Sequence, residues 1–209
     1  MKQDIIFDLG GVVFRWQPLE LLQQLFPSKV PNELVARDWA SQIFQTFHHE
    51  ADWALFDLGQ IEPPALAKRI AMRTGLMEAD LIQLMQSIPA HLEPLQGTVE
   101  LIHELKAQGH RLFYLSNMPS GYADYLVQVN PFFNLFDEGI FSAHVNQIKP
   151  LPEIFSTAQT RWPLQGQPVF IDDVQRNIDA ACAQGWRGIL FESPGQLRKQ
   201  LVLLNYLQP

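Results

Sequence analysis

Asp8 ends an apolar run, IIFDLGGVVF at residues 5–14, and two glycines follow it almost at once. Three later fragments have the same character. Ser116-Asn117 close the stretch RLFYLSN, Lys149 lies in QIKPLPEIF, and Asp172-Asp173 close PVFIDD. Each fragment alone is weak, because a strand that ends in Asp or Ser-Asn is commonly a turn or a helix N-cap. Their occurrence together, in order and separated by helical stretches, is far more specific. Carboxylates gathered in one place repel one another unless a cation neutralises them. An oxygen-liking divalent ion would do so, and would orient an anionic phosphoryl group for attack by a carboxylate.

Such a site needs the fragments at one edge of a sheet, and the hydrophobic pattern supplies that. The runs 4–9, 111–117, 139–145, 168–173 and 187–192 read as strands. Helical spacing of apolar residues marks 98–109, 152–162, 177–185 and 195–207 between and after them, with Gly109 a plausible C-cap. Alternation of this kind predicts an α/β fold, a Rossmann-like parallel sheet wrapped by helices. The opening run does not alternate with polar residues, so it is expected to be the most buried strand. Residues 15–95 differ, with helical patterns and no convincing strand. They read as a small α-helical cap inserted after the first strand, over the strand ends where open α/β sheets bind ligands. The expected organisation is a core of residues 1–14 and 96–209 and a cap of 15–95.

Composition narrows the classes. The 209 residues carry a net charge of −7 and are 47% hydrophobic. That balance argues against nucleic-acid partners and against an anionic membrane surface, without excluding small anionic substrates. No apolar run approaches a membrane span, and Met1-Lys2-Gln3 leads straight into the first strand, so a cytoplasmic protein is expected. Cys182 is the single cysteine, which rules out an internal disulfide. Its setting, DAACAQGW, reads as an apolar helix face and predicts a core residue.

Taken together, the four fragments resemble the four motifs of the haloacid dehalogenase-like hydrolase superfamily, and the insert resembles its small helical cap. The resemblance spans essentially the whole chain. It implies that the strands ending in Asp8 and Asp172 are neighbours. It also implies Mg²⁺ bound by Asp8, Asp172 and the carbonyl of residue 10, with Asp173 orienting a metal water or Lys149. Ser116 and Lys149 would hold phosphoryl oxygens, beside Asn117, while Asp8 forms an aspartyl-phosphate. The partner so implied is a small phosphorylated molecule. Monomer and homodimer are equally compatible with the sequence.

One expected group is missing. Most phosphatases of the superfamily carry a second aspartate two residues after the nucleophile, which protonates the leaving oxygen. Here that residue is Gly10. A glycine still offers its carbonyl to a metal but cannot move a proton. Losing a positioned acid typically costs about 10²–10⁴ in rate. The handicap is least for activated leaving groups, and the DLGG tetrapeptide resembles a sugar-1-phosphate phosphatase subgroup, so an anomeric phosphate is one expectation. A substitute acid could come from His48, His49 or Glu50 in the insert. The plainer reading of those three is a solvated helix face. Two other readings stand beside the phosphatase. True haloacid dehalogenases resemble the chain in LSN, but carry a tyrosine at the position of Gly10 and lack the paired aspartates. A weakly catalytic ligand- or protein-binding member has Gly10 as its only support.

Overall fold

The computed structural model describes residues 2–208. Five parallel strands form one sheet: β1 (Asp4–Phe7), β2 (Arg111–Ser116), β3 (Glu138–Phe141), β4 (Val169–Asp172) and β5 (Arg187–Leu190). Their order is β3-β2-β1-β4-β5, so β1 is central and β4 lies directly beside it. Ile6 is in register with Phe113 on one side and Phe170 on the other. As expected of a doubly covered strand, every residue of β1 is buried. Successive side chains point to opposite faces. Ile5 and Phe7 join one apolar cluster, while Ile6 joins the other with Phe155, Trp162 and Trp186.

Between β1 and β2 the chain first forms α1 (Pro18–Leu25), α2 (Glu33–Phe44), α3 (Asp52–Asp57), α4 (Pro63–Thr74) and α5 (Glu78–His91). Local chemistry sets these ends. Asn32 caps α2 by accepting from the Val35 N–H at 3.1 Å. Gly75, at φ +76°, closes α4 in the left-handed region. The chain leaves and re-enters the sheet region through adjacent segments: Arg15 N–H donates to Glu93 and Leu95 N–H to Val13, both at 2.8 Å. The larger apolar cluster is continuous across this junction, running from Phe7 and Phe14 to Leu22, Ile70 and Leu84. Each such buried side chain gains about 1.5–3 kcal/mol.

The remaining helices are α6 (Gln96–Ala107), α7 (Ser120–Val129), α8 (Ser142–Val145), α9 (Pro152–Arg161), α10 (Gln175–Ala183) and α11 (Pro194–Leu203). Two expectations are corrected. The strand predicted over 139–145 ends at Phe141, because Ser142 turns the chain into α8 and its buried hydroxyl joins two neighbouring segments. Cys182 is exposed rather than in the core. The buried face of α10 is Asn177, Ile178 and Ala181, and Cys182 stands one step around the helix from it. Among the described residues, no helix is long and apolar enough to cross a membrane.

Candidate active site

The C-terminal ends of β1, β2 and β4 open into a cavity of about 350 Å³ whose far wall comes from the inserted helices. Asp8 lies one residue past β1, held by its N–H, which donates to the Ile171 carbonyl at 2.8 Å. Lys149 is buried with its Nζ 2.9 Å from Asp8 Oδ1 and 2.7 Å from Asp172 Oδ2. Its backbone is clamped by Asn117, which donates from Nδ2 to the Lys149 carbonyl (2.9 Å) and accepts from the Lys149 N–H (2.8 Å). Asn117 therefore borders the cavity with both ends of its amide engaged on Lys149. Ser116 closes β2, and its hydroxyl has no protein hydrogen-bond partner among the described residues.

The paired aspartates occupy different stations. Asp172 is fully buried, and its carboxylate accepts from Lys149, from Asn177 Nδ2 at 3.0 and 3.1 Å, and from the Val174 N–H at 2.8 Å. Asp173 opens to the cavity. The carboxylate that holds Lys149 is thus Asp172 rather than Asp173. Asp173 also explains Gly11: a Cβ there would lie 2.4 Å from Asp173 Oδ2, and Gly11 has φ +79°. Gly10 is the opposite case, with nothing within 4 Å of where its Cβ would stand.

Carboxylate oxygens of Asp8, Asp172 and Asp173 lie within 4.8 Å of one another. Burial pushes Asp8 up to about 7 despite the opposing charge of Lys149, and Asp172 and Asp173 push the same way. Asp173 rises to about 6, through burial first and then the charge of Asp172. For Lys149 burial works downward, but Asp172 and Asp8 outweigh it and raise the ammonium above its ordinary value. One buried lysine does not balance three carboxylates. The donor set is all oxygen and anionic, which fits a hard divalent cation.

The inserted helices contribute an apolar wall that includes Trp16, Phe47, Trp53, Ile88 and Leu92. Phe47 is presented by a tight turn in which Gln45, Thr46 and Phe47 all have left-handed φ of 46–55°, a conformation costly for residues other than glycine. Arg176, at the start of α10, reaches across and donates to the carbonyls of Thr46 (3.1 Å) and Phe47 (3.0 Å). His48 and Glu50 are exposed on the turn before α3 rather than on a helix face, and none of His48, His49 and Glu50 lines the cavity.

One cavity carboxylate escaped the sequence reading. Asp57, the last residue of α3, is buried, lines the same cavity as Asp8 and has no side-chain hydrogen bond among the described residues. Burial first, then the charge of Asp8, pushes it up to about 8, against Lys149. A signal was present: in WALFDLG the aspartate sits inside an apolar helical run, where a merely solvated charge has no place. Arg176 had no comparable signal.

Comparison with known proteins agrees with this geometry. The family model for haloacid dehalogenase-like hydrolases matches residues 38–191, and the chain belongs to that family of hydrolases. The sesquiterpene phosphatase astK of Aspergillus oryzae is 26% identical over 186 residues, covering 88% of this chain and 87% of that protein. A haloacid dehalogenase family enzyme from Bacteroides thetaiotaomicron, solved with magnesium and inorganic phosphate, superposes with a TM-score of 0.65. It is 17% identical, and the match covers 92% of this chain and 96% of that one. L-2-haloacid dehalogenase from Xanthobacter autotrophicus, with chloropropionic acid covalently bound, shares the fold with a TM-score of 0.66 and 17% identity. That match covers 100% of this chain and 85% of the other.

Proposed function

We propose that this hydrolase is a Mg²⁺-dependent phosphatase that cleaves a small phosphomonoester through an aspartyl-phosphate on Asp8. The observation that carries the reading is the floor of the cavity: three carboxylates with oxygens within 4.8 Å, two of them pushed well above the ordinary range. A carbon–halogen bond presents no anionic group and needs no such cluster, so dehalogenation fits the floor less well. In this reading Mg²⁺ is held by Asp8, Asp173 and the Gly10 carbonyl, with Asp172 the buried support behind them. When bound it offsets the charge of the phosphoryl group and the carboxylates.

The chain's own groups then divide the work. Lys149 fixes the Asp8 carboxylate and carries positive charge to the phosphoryl oxygens. Asp172 and Asn117 hold Lys149 by its two ends. Ser116, with its hydroxyl free, donates to a phosphoryl oxygen. Asp8 attacks phosphorus and water later hydrolyses the acyl phosphate. The core of residues 1–14 and 96–209 carries this chemistry, and the cap of 15–95 chooses the organic group.

The wall supports an apolar organic group, a prenyl or aryl phosphate rather than the anomeric sugar phosphate that Gly10 first brings to mind. Trp16, Phe47 and Trp53 offer surface that a sugar's hydroxyls would not use. The sesquiterpene phosphatase relative points the same way. The test is phosphate release from farnesyl phosphate, phenyl phosphate and glucose 1-phosphate, with Mg²⁺ and with EDTA, beside Asp8→Asn. Release that needs both the metal and Asp8, and favours the apolar esters, supports the reading. Preference for glucose 1-phosphate removes the apolar assignment, and silence on every ester removes the phosphatase.

A further inference from the structure

We infer that Asp57 is the proton-transferring residue of this site, taking the place of the aspartate absent at position 10. The inference rests on the phosphatase reading above and adds the acid and base that reading lacks. Three features of the molecule carry it.

The first is position. Asp57 and Asp8 line one cavity, and the charge of Asp8 acts on Asp57. A leaving group departs on the side of phosphorus away from the attacking Asp8 oxygen, which is the side closed by the inserted helices. Asp57 is the carboxylate those helices contribute to the lining.

The second is fixity. The end of α3 is tied to the sheet-forming part of the chain: Ser142 Oγ donates to the Asp57 carbonyl and accepts from the Met118 N–H at 2.8 Å. Gly59, at φ +68°, lets the following turn rest on Ala143, whose atoms lie 3.3 Å from where a Cβ would be. Asp57 thus stands at a set height above the strand ends, although it belongs to the insert. By contrast, His48 and Glu50 sit on an exposed turn outside the cavity lining.

The third is that the group is unspent. Asp57 is a buried residue whose carboxyl faces the cavity and makes no side-chain hydrogen bond among the described residues, an arrangement that a structural role does not explain. Burial is the larger cause of its raised affinity for a proton, ahead of the charge of Asp8. A raised proton affinity is what a general acid needs. The open space beside Gly10 fits too, since an acid supplied from above leaves nothing for a side chain there to do.

The steps balance. An Asp8 oxygen bonds to phosphorus as the phosphorus–ester oxygen bond breaks, and the departing oxygen takes the proton of Asp57. The alcohol leaves, with Asp8 phosphorylated and Asp57 ionised. Water then attacks phosphorus and gives its proton to Asp57 as the bond to Asp8 breaks. Phosphate is released, and both side chains return to their starting forms.

The experiment compares wild type with Asp57→Asn by kcat/KM, with Mg²⁺ present, on p-nitrophenyl, phenyl and alkyl phosphates. Expected is a loss of about 10²–10⁴ on the alkyl ester, whose leaving oxygen needs a proton, and under about 10-fold on the nitrophenyl ester. With the nitrophenyl ester the variant should also release a stoichiometric burst of nitrophenolate, because water attack has lost its base. Equal losses on all three esters overturn the assignment while the phosphatase reading stands. Absence of release by wild type from every ester overturns both. Gly10→Asp in the Asp57→Asn background guards against a merely damaged protein. Recovery of alkyl-ester turnover supports a missing proton, and no recovery in a folded double variant counts against Asp57.

Discussion

The two sides of the cavity are built on opposite principles. The floor is made of strand ends, where Asp8, Ser116 and Asp172 inherit their positions from a hydrogen-bonded ladder. Asp8 and Asp172 are buried and joined through Lys149, while Asp173 opens to the cavity. The opposite wall comes from helices and a left-handed turn, is largely aromatic and aliphatic, and among the described residues places one carboxylate, Asp57, in the cavity. A ladder can hold atoms to tenths of an ångström, as bond making requires. Apolar contact is less directional and tolerates variation, which suits recognition of an organic group. In the proposed phosphatase, reaction and selection therefore have separate homes, and Asp57 is the exception that crosses between them.

That separation can be broken at several points. The largest effect should come from Asp8→Asn, which removes the nucleophile and should cut phosphate release about 10³-fold or more on every ester. A uniform loss sharpens the comparison, and retained turnover breaks it. Lys149→Met should follow, leaving Asp8 and Asp172 buried without their shared cation. In metal-free protein the cost should be about 3–5 kcal/mol, read from urea unfolding. Phe47→Ala should act only on selection: kcat/KM for a prenyl or aryl ester should fall roughly 10-fold, with methyl phosphate little changed. A matching loss on methyl phosphate would mean the wall also governs the reaction.

The smallest expected effect concerns Asp57 as a burden on the fold. Its proton is held up to about pH 8 in the folded chain against an ordinary value of 3.8. Stability from the neutral form is complete below the ordinary value and drains away as pH rises through the folded one. The charges around it are Asp8 and Lys149, with the Tyr122 hydroxyl also near. Asp57→Asn should therefore raise the thermal midpoint at pH 8 by about 2–4 °C or more, by less at pH 5, and hardly at all below pH 4. A side chain that lowers stability where it is ionised, yet is needed for turnover, would mark a functional cost.

The floor was largely legible in the sequence and the wall largely was not, for one physical reason. A strand end announces itself locally: an apolar run, then Asp8 or Asp172, then a turn. Even there, the carboxylate that holds Lys149 was left open, because sequence does not say which of two adjacent carboxylates turns inward. The wall draws Trp16, Phe47, Asp57 and Leu92 from separate segments whose meeting depends on how the helices pack. Residues 139–145 failed for a similar reason. Their apolar pattern suits a strand, and Ser142 diverts it through contacts with Met118 and Asp57 that are remote in sequence.

The junction where the insert begins and ends has a bearing on chain entropy. Val13 and Arg15 are already paired with Leu95 and Glu93 at 2.8 Å, so the sheet meets the insert as a loop whose ends are closed. For a loop closed at its base, the entropic cost grows only with the logarithm of its length, about 0.6 kcal/mol for each doubling. Lengthening the connections between the inserted helices then costs the chain little entropy, while the helices themselves stay bound to the sheet by the apolar cluster they share. What couples the strand ends to their cover is packing and the few ties at Ser142 and Ala143, not the length of the loops between the helices.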